Sequence, residues 1–251
     1  MENIERNSFA TNVEENIAIV NIKAGVFDLV TDINESNILI DYIKKTEGNP
    51  GIKALLVING AGYYSDTVYH EFITRILGPQ DDCEDNAPPK FAKKDLRFKE
   101  INILNKIIKV LSEYRKLCFA GINGDIVTPF IGACLSMDIR YATEGARFVM
   151  AHNKYGLHPS GALPFFLSQY VHHSRALEIQ FREEFSVDEA LELGLVNKIF
   201  PADEFEKRCL HELRHFIRCE NSTIGVTKRL TNYTRKALTD YFLYEASLLN
   251  L

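Results

Sequence analysis

Two short runs of aliphatic and β-branched residues, Ile17 to Ile22 (IAIVNI) and Ala54 to Ile58 (ALLVI), have the length and composition of buried strands. Between them Ile38, Leu39, Tyr42 and Ile43 recur at helical spacing across Asn34 to Lys45, so the chain opens strand, helix, strand. Leu96, Ile101, Leu104, Ile107, Ile108 and Leu111 then follow the helical period from Asp95 onward, predicting a long amphipathic helix that leads into a third strand, Cys118 to Ile122. Asp138 to Tyr141 and Ala146 to Met150 predict further strands. Strands alternating with helices imply an α/β fold with parallel pairing. From Ser174 the pattern is helical; Ser186 and Glu189 form a capping-box pattern and Gly194 closes that helix. Pro79 to Pro89 (PQDDCEDNAPP) is acidic and turn-rich, and reads as a surface excursion between elements.

Composition narrows the partners. The 251 residues are 46% hydrophobic and 25% charged, enough for a sizeable core, and the formal net charge of -5 with scattered Lys and Arg argues against nucleic acid. Apolar stretches fall short of the roughly 20 residues that span a bilayer, so no membrane segment is expected. Five cysteines without CxxC spacing, and a start (MENIERN) without an apolar signal core, fit a reducing cytoplasm.

Four stretches carry candidate chemistry. HELRH, His211 to His215, places two histidines on one helical face with Glu212 between them, but no third ligand follows, and the surrounding pattern is that of an ordinary amphipathic helix; no metal site is expected. His172 and His173 fall at an expected helix C-terminus, where a cation is favoured. Ile58 to Val68 (INGAGYYSDTV) leaves a strand through Gly60 and Gly62, and NGDIVTPFIGAC leaves the next through Asn123 and Gly124 into a helix expected to take Thr128 as N-cap and Pro129 as its first residue. Gly132, Ala133 and Ser136 are small, so this helix should pack closely. Two loops at strand ends, one opening a helix, can aim backbone N–H groups at a single carbonyl oxygen, polarising a thioester and stabilising an enolate.

These loops resemble those of the crotonase (enoyl-CoA hydratase/isomerase) superfamily. KLCFAGINGDIVTPFIGACLSMDIR, Lys116 to Arg140, lies without a gap on that family's K-P-x-x-A-x-x-N-G-x-x-x-G-G-G pattern and its extension to D-x-R. ATEGARFVMAHNKYGLHPSGA and SVDEALELGLVNKIFPADE resemble two later family segments, the last most specifically. The resemblance implies a crotonase-like spiral of β/α (ββα) repeats over 1–195, a helical trimerisation region over 196–251, and a homotrimer or dimer of trimers. It also implies an acyl-CoA or carrier-protein thioester as substrate, with coenzyme A as part of that substrate and no other cofactor.

The departures from the pattern bear on mechanism. The family's three glycines are Thr128, Pro129 and Phe130 here, so the second oxyanion donor falls on Pro129, which has no N–H; one lost donor costs about 2.7–4 kcal/mol of transition-state stabilisation. Phe130 N–H, the Thr128 hydroxyl or a shifted thioester replaces it, or the hole is closed. The first donor is placed at Val68. The two hydratase glutamates fall on Gly132 and His152, making classical hydration improbable and leaving His152 as acid/base candidate, with a space-filling histidine as the alternative. Asp66, Tyr63 and Tyr64 are further candidates for the pocket. Ser160, two residues after His158, stands where some dehalogenating relatives carry an aspartate nucleophile. Lys93 (with Lys90 and Lys94) and Lys228 (with Arg229) are candidate phosphate ligands. The implied reaction is isomerisation, decarboxylation or a related lyase step; the rival is a catalytically silent scaffold that binds acyl-CoA or serves assembly.

Overall fold

The computed structural model describes residues 2–77 and 91–248; the expected excursion at Pro79 to Pro89, and Lys90, lie outside them. The chain begins with strands β1 (Phe9–Glu14) and β2 (Ile17–Ile22), a short helix α1 (Val26–Leu29), then helix α2 (Ile33–Gly48) and strand β3 (Ala54–Asn59). Asp32 caps α2 by accepting from Asn34 N at 2.8 Å. Helices α3 (Asp66–Ile76) and α4 (Lys94–Glu113) precede β4 (Leu117–Ile122), β5 (Ile126–Val127), α5 (Phe130–Leu135), β6 (Ile139–Thr143) and β7 (Arg147–Val149). A 3-10 turn, Ala151–Tyr155, leads to α6 (Leu163–Tyr170), α7 (His173–Gln180), β8 (Glu184–Ser186), α8 (Val187–Glu192) and β9 (Lys198–Phe200). The chain continues through a 3-10 turn (Ala202–Glu204), α9 (Phe205–Phe216), α10 (Asn221–Thr231), another 3-10 turn (Asn232–Ala237) and α11 (Leu238–Leu248).

Six strands form one sheet in the order β1-β2-β3-β4-β6-β9, parallel except for β1, and β5-β7-β8 form a second. Strand alternation sorts the large sheet into two buried faces. Val20, Leu55, Val57 and Ala120 point toward α2 and α4; Ile19, Leu56, Phe119 and Tyr141 point toward Cys209, Leu210 and Leu213 of α9. Burial on both faces is why these strands read as unbroken apolar runs.

β9 extends the large sheet, and α9 covers its second face. Two expectations need correction. Pro129, not Thr128, is the N-cap of α5, because the Thr128 side chain is turned toward His152 instead of the helix. His172 and His173 open α7, with His172 Nδ1 and Ser174 Oγ 3.0 Å apart, so they stand at a helix N-terminus and do not cap the preceding helix. The capping serine and closing glycine of α8 appear as expected: Glu189 N donates to Ser186 Oγ at 3.2 Å, and Gly194 adopts φ +72°.

Candidate active site

Parallel strands β3 and β4 end side by side, and Asn59 ties their loops together. Its Nδ2 donates to Asn123 O at 2.9 Å while its Oδ1 accepts from Asn123 N at 3.0 Å. Gly124 N donates to Thr143 Oγ1 at 2.8 Å and Val127 N to Tyr64 O at 3.0 Å, so the second loop holds the first. Tyr63 folds back over Gly60; a Cβ there would lie 2.8 Å from Tyr63 Cδ2, so a side chain at 60 would displace that ring. Asn59 is a loop-joining residue that sequence reasoning missed, although a polar side chain closing ALLVIN was the available signal.

Above the loops the Tyr64 and Phe130 rings stack, with centroids 4.5 Å apart, and Phe27 packs on Phe130 at 5.2 Å. Burial pushes the Tyr64 hydroxyl well above its ordinary range, so it is neutral. Beneath them lies an apolar cavity of about 40 Å³ bordered by Val57, Leu104, Ala133 and Met137.

Each predicted site residue has a definite place. Pro129 follows a cis peptide bond and offers no N–H; Phe130 is the first residue of α5. Val68 lies half-buried in the first turn of α3. Asp66 opens α3; its Oδ2 pairs with Lys154, whereas Oδ1 is enclosed without a hydrogen-bond partner. Across from it Tyr155 OH and His70 Nδ1 lie 2.7 Å apart, two residues not foreseen because the α3 face and the 3-10 turn meet only in the fold. Ser160 is buried, while His158, two residues before it, is exposed, so the structure gives that serine no neighbouring base from His158.

Gly132 explains the missing carboxylate. A Cβ at 132 would run into the Gly161 carbonyl oxygen, with Gly161 C at 2.9 Å and Leu163 N at 3.0 Å. In turn a Cβ at Gly161 would meet the Pro129 carbonyl and lie 3.1 Å from Pro129 Cβ. The space a glutamate side chain would need is filled by backbone.

His152 is buried, its Nδ1 3.1 Å from Thr128 Oγ1, and its ring also hydrogen-bonds the Gln180 backbone. Desolvation, with the Arg97 and His158 charges adding to it, lowers its pKa to about 4. It is therefore neutral at pH 7. Because the folded pKa is depressed, the unfolded chain binds more protons between about 4 and 6.5, and stability falls as pH drops through that window. We expect acidification from pH 7 to 4 to remove about 3 kcal/mol through this residue. Urea midpoints measured across the range should lose that component in His152→Gln.

Lys228, a candidate phosphate ligand, is engaged within the fold. Its ammonium is buried, donating to Asp138 Oδ2 at 2.6 Å and to Lys116 O at 3.0 Å, and Asp138 in turn accepts from Cys118 N at 2.8 Å. Arg229 Nε donates to Gly225 O at 3.3 Å. Lys93 is exposed at the start of α4. A larger cleft of about 520 Å³ lies away from the two loops, between Tyr170, Phe216 and α10, and reaches Lys228 and Arg235; both cations are held by protein acceptors. Glu212 of HELRH pairs with Lys198 at 2.5 Å, and no group of three or more His, Cys, Asp or Glu among the described residues is arranged to hold a metal. No helix among them is long and apolar enough to cross a membrane.

The chain is 31% identical over 103 residues to 4-chlorobenzoyl coenzyme A dehalogenase-1 of Arthrobacter sp, covering 41% of this chain but only 37% of that protein. It is 24% identical over 197 residues to 1,2-epoxyphenylacetyl-CoA isomerase of Escherichia coli, covering 77% of this chain and 70% of the isomerase. An enoyl-CoA hydratase structure from Bacillus halodurans superposes with a TM-score of 0.75 at 19% identity, over 96% of this chain and 93% of that one, a likeness of fold. The enoyl-CoA hydratase/isomerase family model matches residues 94–250, from α4 through the second loop to the end of α11, and the chain belongs to that family.

Proposed function

We propose that this chain acts on an acyl thioester by shifting a proton, or by losing carbon dioxide, at the carbon beside the carbonyl, and not by two-carboxylate hydration. The Gly132–Gly161 wall carries the reading: one carboxylate position has no room and the other is a neutral histidine. Proton shift and decarboxylation need the enolate to be stabilised but need no positioned water. In this reading Val68 N–H and Phe130 N–H face the thioester oxygen. The Asp66 carboxylate exchanges the substrate proton, and His152 orients the Thr128 hydroxyl. The acyl group rides on coenzyme A, or on a carrier-protein pantetheine arm, with Lys93 toward the phosphates and no separate cofactor. Leu230, Tyr233, Leu243 and Tyr244, exposed on the C-terminal helices, supply a homotrimer contact, and the cytoplasm is the compartment.

The rival reading, a silent acyl-CoA-binding or assembly scaffold, is favoured by Pro129 and by the stacked Tyr64 and Phe130, whose rings border a cavity of about 40 Å³. A panel of acyl-CoAs assayed in D₂O for exchange beside the carbonyl, isomerisation and decarboxylation separates the two. Turnover reduced about 100-fold or more in Asp66→Asn is the expected result. Calorimetric binding without any turnover would support the scaffold, and no binding of CoA or acyl-CoA would sink the thioester reading altogether.

A further inference from the structure

The inward stripe of α11 runs Leu238, Tyr241, Phe242, Glu245, so a carboxylate stands where the helical period calls for a hydrophobe. Glu245 is buried, and its contacts are sparse for a charged group. Oε2 accepts from Asn105 Nδ2 and Oε1 from Tyr241 OH, both at 3.3 Å, with a further bond from the Ala162 backbone. Ala162 is itself held at φ +53°, a left-handed conformation that costs about 1 kcal/mol for a residue with a Cβ. It directly follows Gly161, the residue against which Gly132 closes.

A second carboxylate faces the same interior. Glu100 of α4 is 0% exposed; its Oε2 binds Arg97 Nη1 at 2.5 Å, and its Oε1 is enclosed without a partner. Glu100 acts electrostatically on Glu245, and the groups facing the two acids are Arg97 and Asn105 from α4, Tyr69 from α3 and Tyr241 from α11. Tyr69 is neutral, since burial pushes its hydroxyl far up. Lys106, another cation of α4, donates to Asn37 instead. Within this cluster two carboxylates therefore share one cation in a dry setting, an arrangement in which like charges cannot both ionise cheaply.

We propose that Glu100 and Glu245 retain one proton between them near neutral pH, and that this proton latches the C-terminal helix α11 onto α4 and onto the Ser160–Ala162 loop behind the candidate site. The inference does not depend on which reaction, if any, the site performs. Desolvation raises the Glu245 carboxyl to about 7 from an ordinary value near 4.5, and Glu100 is raised as well, again mainly by desolvation, with Arg97 opposing. An acid whose pKa is higher in the docked state favours docking at low pH; that preference falls as pH climbs from about 4.5 through about 7, by on the order of 300-fold in the docking equilibrium.

Hydrogen exchange of the full chain, read by mass spectrometry and corrected for intrinsic rates, tests the latch. Peptides from α11 should be protected at pH 5.5 and should lose protection by about 30-fold at pH 8.5, while peptides from β3 and β4 stay protected throughout. Glu245→Gln, which keeps the shape and cannot ionise, should hold α11 protected at both values. Glu100→Gln frees Arg97 to pair with Glu245, so protection should persist to higher pH than in the unaltered chain. Equal α11 protection at pH 5.5 and 8.5 in the unaltered chain overturns the proposal, as does a pH dependence that survives in Glu245→Gln, or an α11 that exchanges like free peptide at pH 5.5. Acyl-CoA binding is not part of the readout, so failure here leaves the proposed function standing, and the converse also holds.

Discussion

Gly132→Glu, which would put a carboxylate where the family resemblance implies one, is expected to yield a destabilised protein without hydratase activity. Even Gly132→Ala places a methyl group against the Gly161 carbonyl, with Gly161 C 2.9 Å and Leu163 N 3.0 Å away, all of it backbone that cannot rotate aside. Overpacking of this kind costs about 3 kcal/mol. The urea midpoint of Gly132→Ala, compared with that of Ala133→Gly one residue along, checks the assignment, since loss of a methyl at 133 creates no collision. Full stability in Gly132→Ala would mean that the α5 contact with the Ser160–Ala162 loop is looser than described.

Asp138→Ala should be the most damaging single change. It leaves the Lys228 ammonium buried without its counter-charge and also removes the acceptor for Cys118 N, breaking the tie between α10, the start of β4 and the end of α5. Removing one partner of a buried ion pair costs about 3–5 kcal/mol, whereas replacing both with apolar groups is often nearly neutral. The pair Asp138→Leu with Lys228→Met should therefore recover much of the loss. Chemical denaturation of the two single variants and the double variant measures it as a cycle. Lys228→Met should also leave CoA affinity unchanged wherever the fold survives, in keeping with a lysine spent on the fold.

What could be read in the sequence followed from burial. Strands covered on both faces announce themselves as IAIVNI, ALLVI and CFAGI, and the helices over them show their period. β1 escaped notice because an edge strand mixes polar residues into FATNVE, and β5, β8 and β9 are only two or three residues long. At the site, the absent N–H of Pro129 was legible because it is a property of the residue itself. The close packing of Gly132 was legible in kind, but its partner Gly161, 29 residues downstream, was not. Thr128 had the composition of an N-cap, yet tertiary packing turned its hydroxyl to His152. Lys228 looked like any surface lysine until the fold set it against Asp138.

The stacked rings of Tyr64 and Phe130 set a tempo as well as a shape. In the proposed reading the acyl chain occupies the apolar cavity of about 40 Å³ beneath them, and a chain too long for that space enters only after the rings part. Phe130 is also wedged against Phe27, which itself stacks on Phe72 at 4.4 Å, so that parting moves several aromatic side chains together. Association with a long-chain ligand then becomes a two-stage event whose observed rate levels off with rising ligand concentration. The ceiling belongs to the protein's own ring motion, and is the same for every ligand that must wait for it.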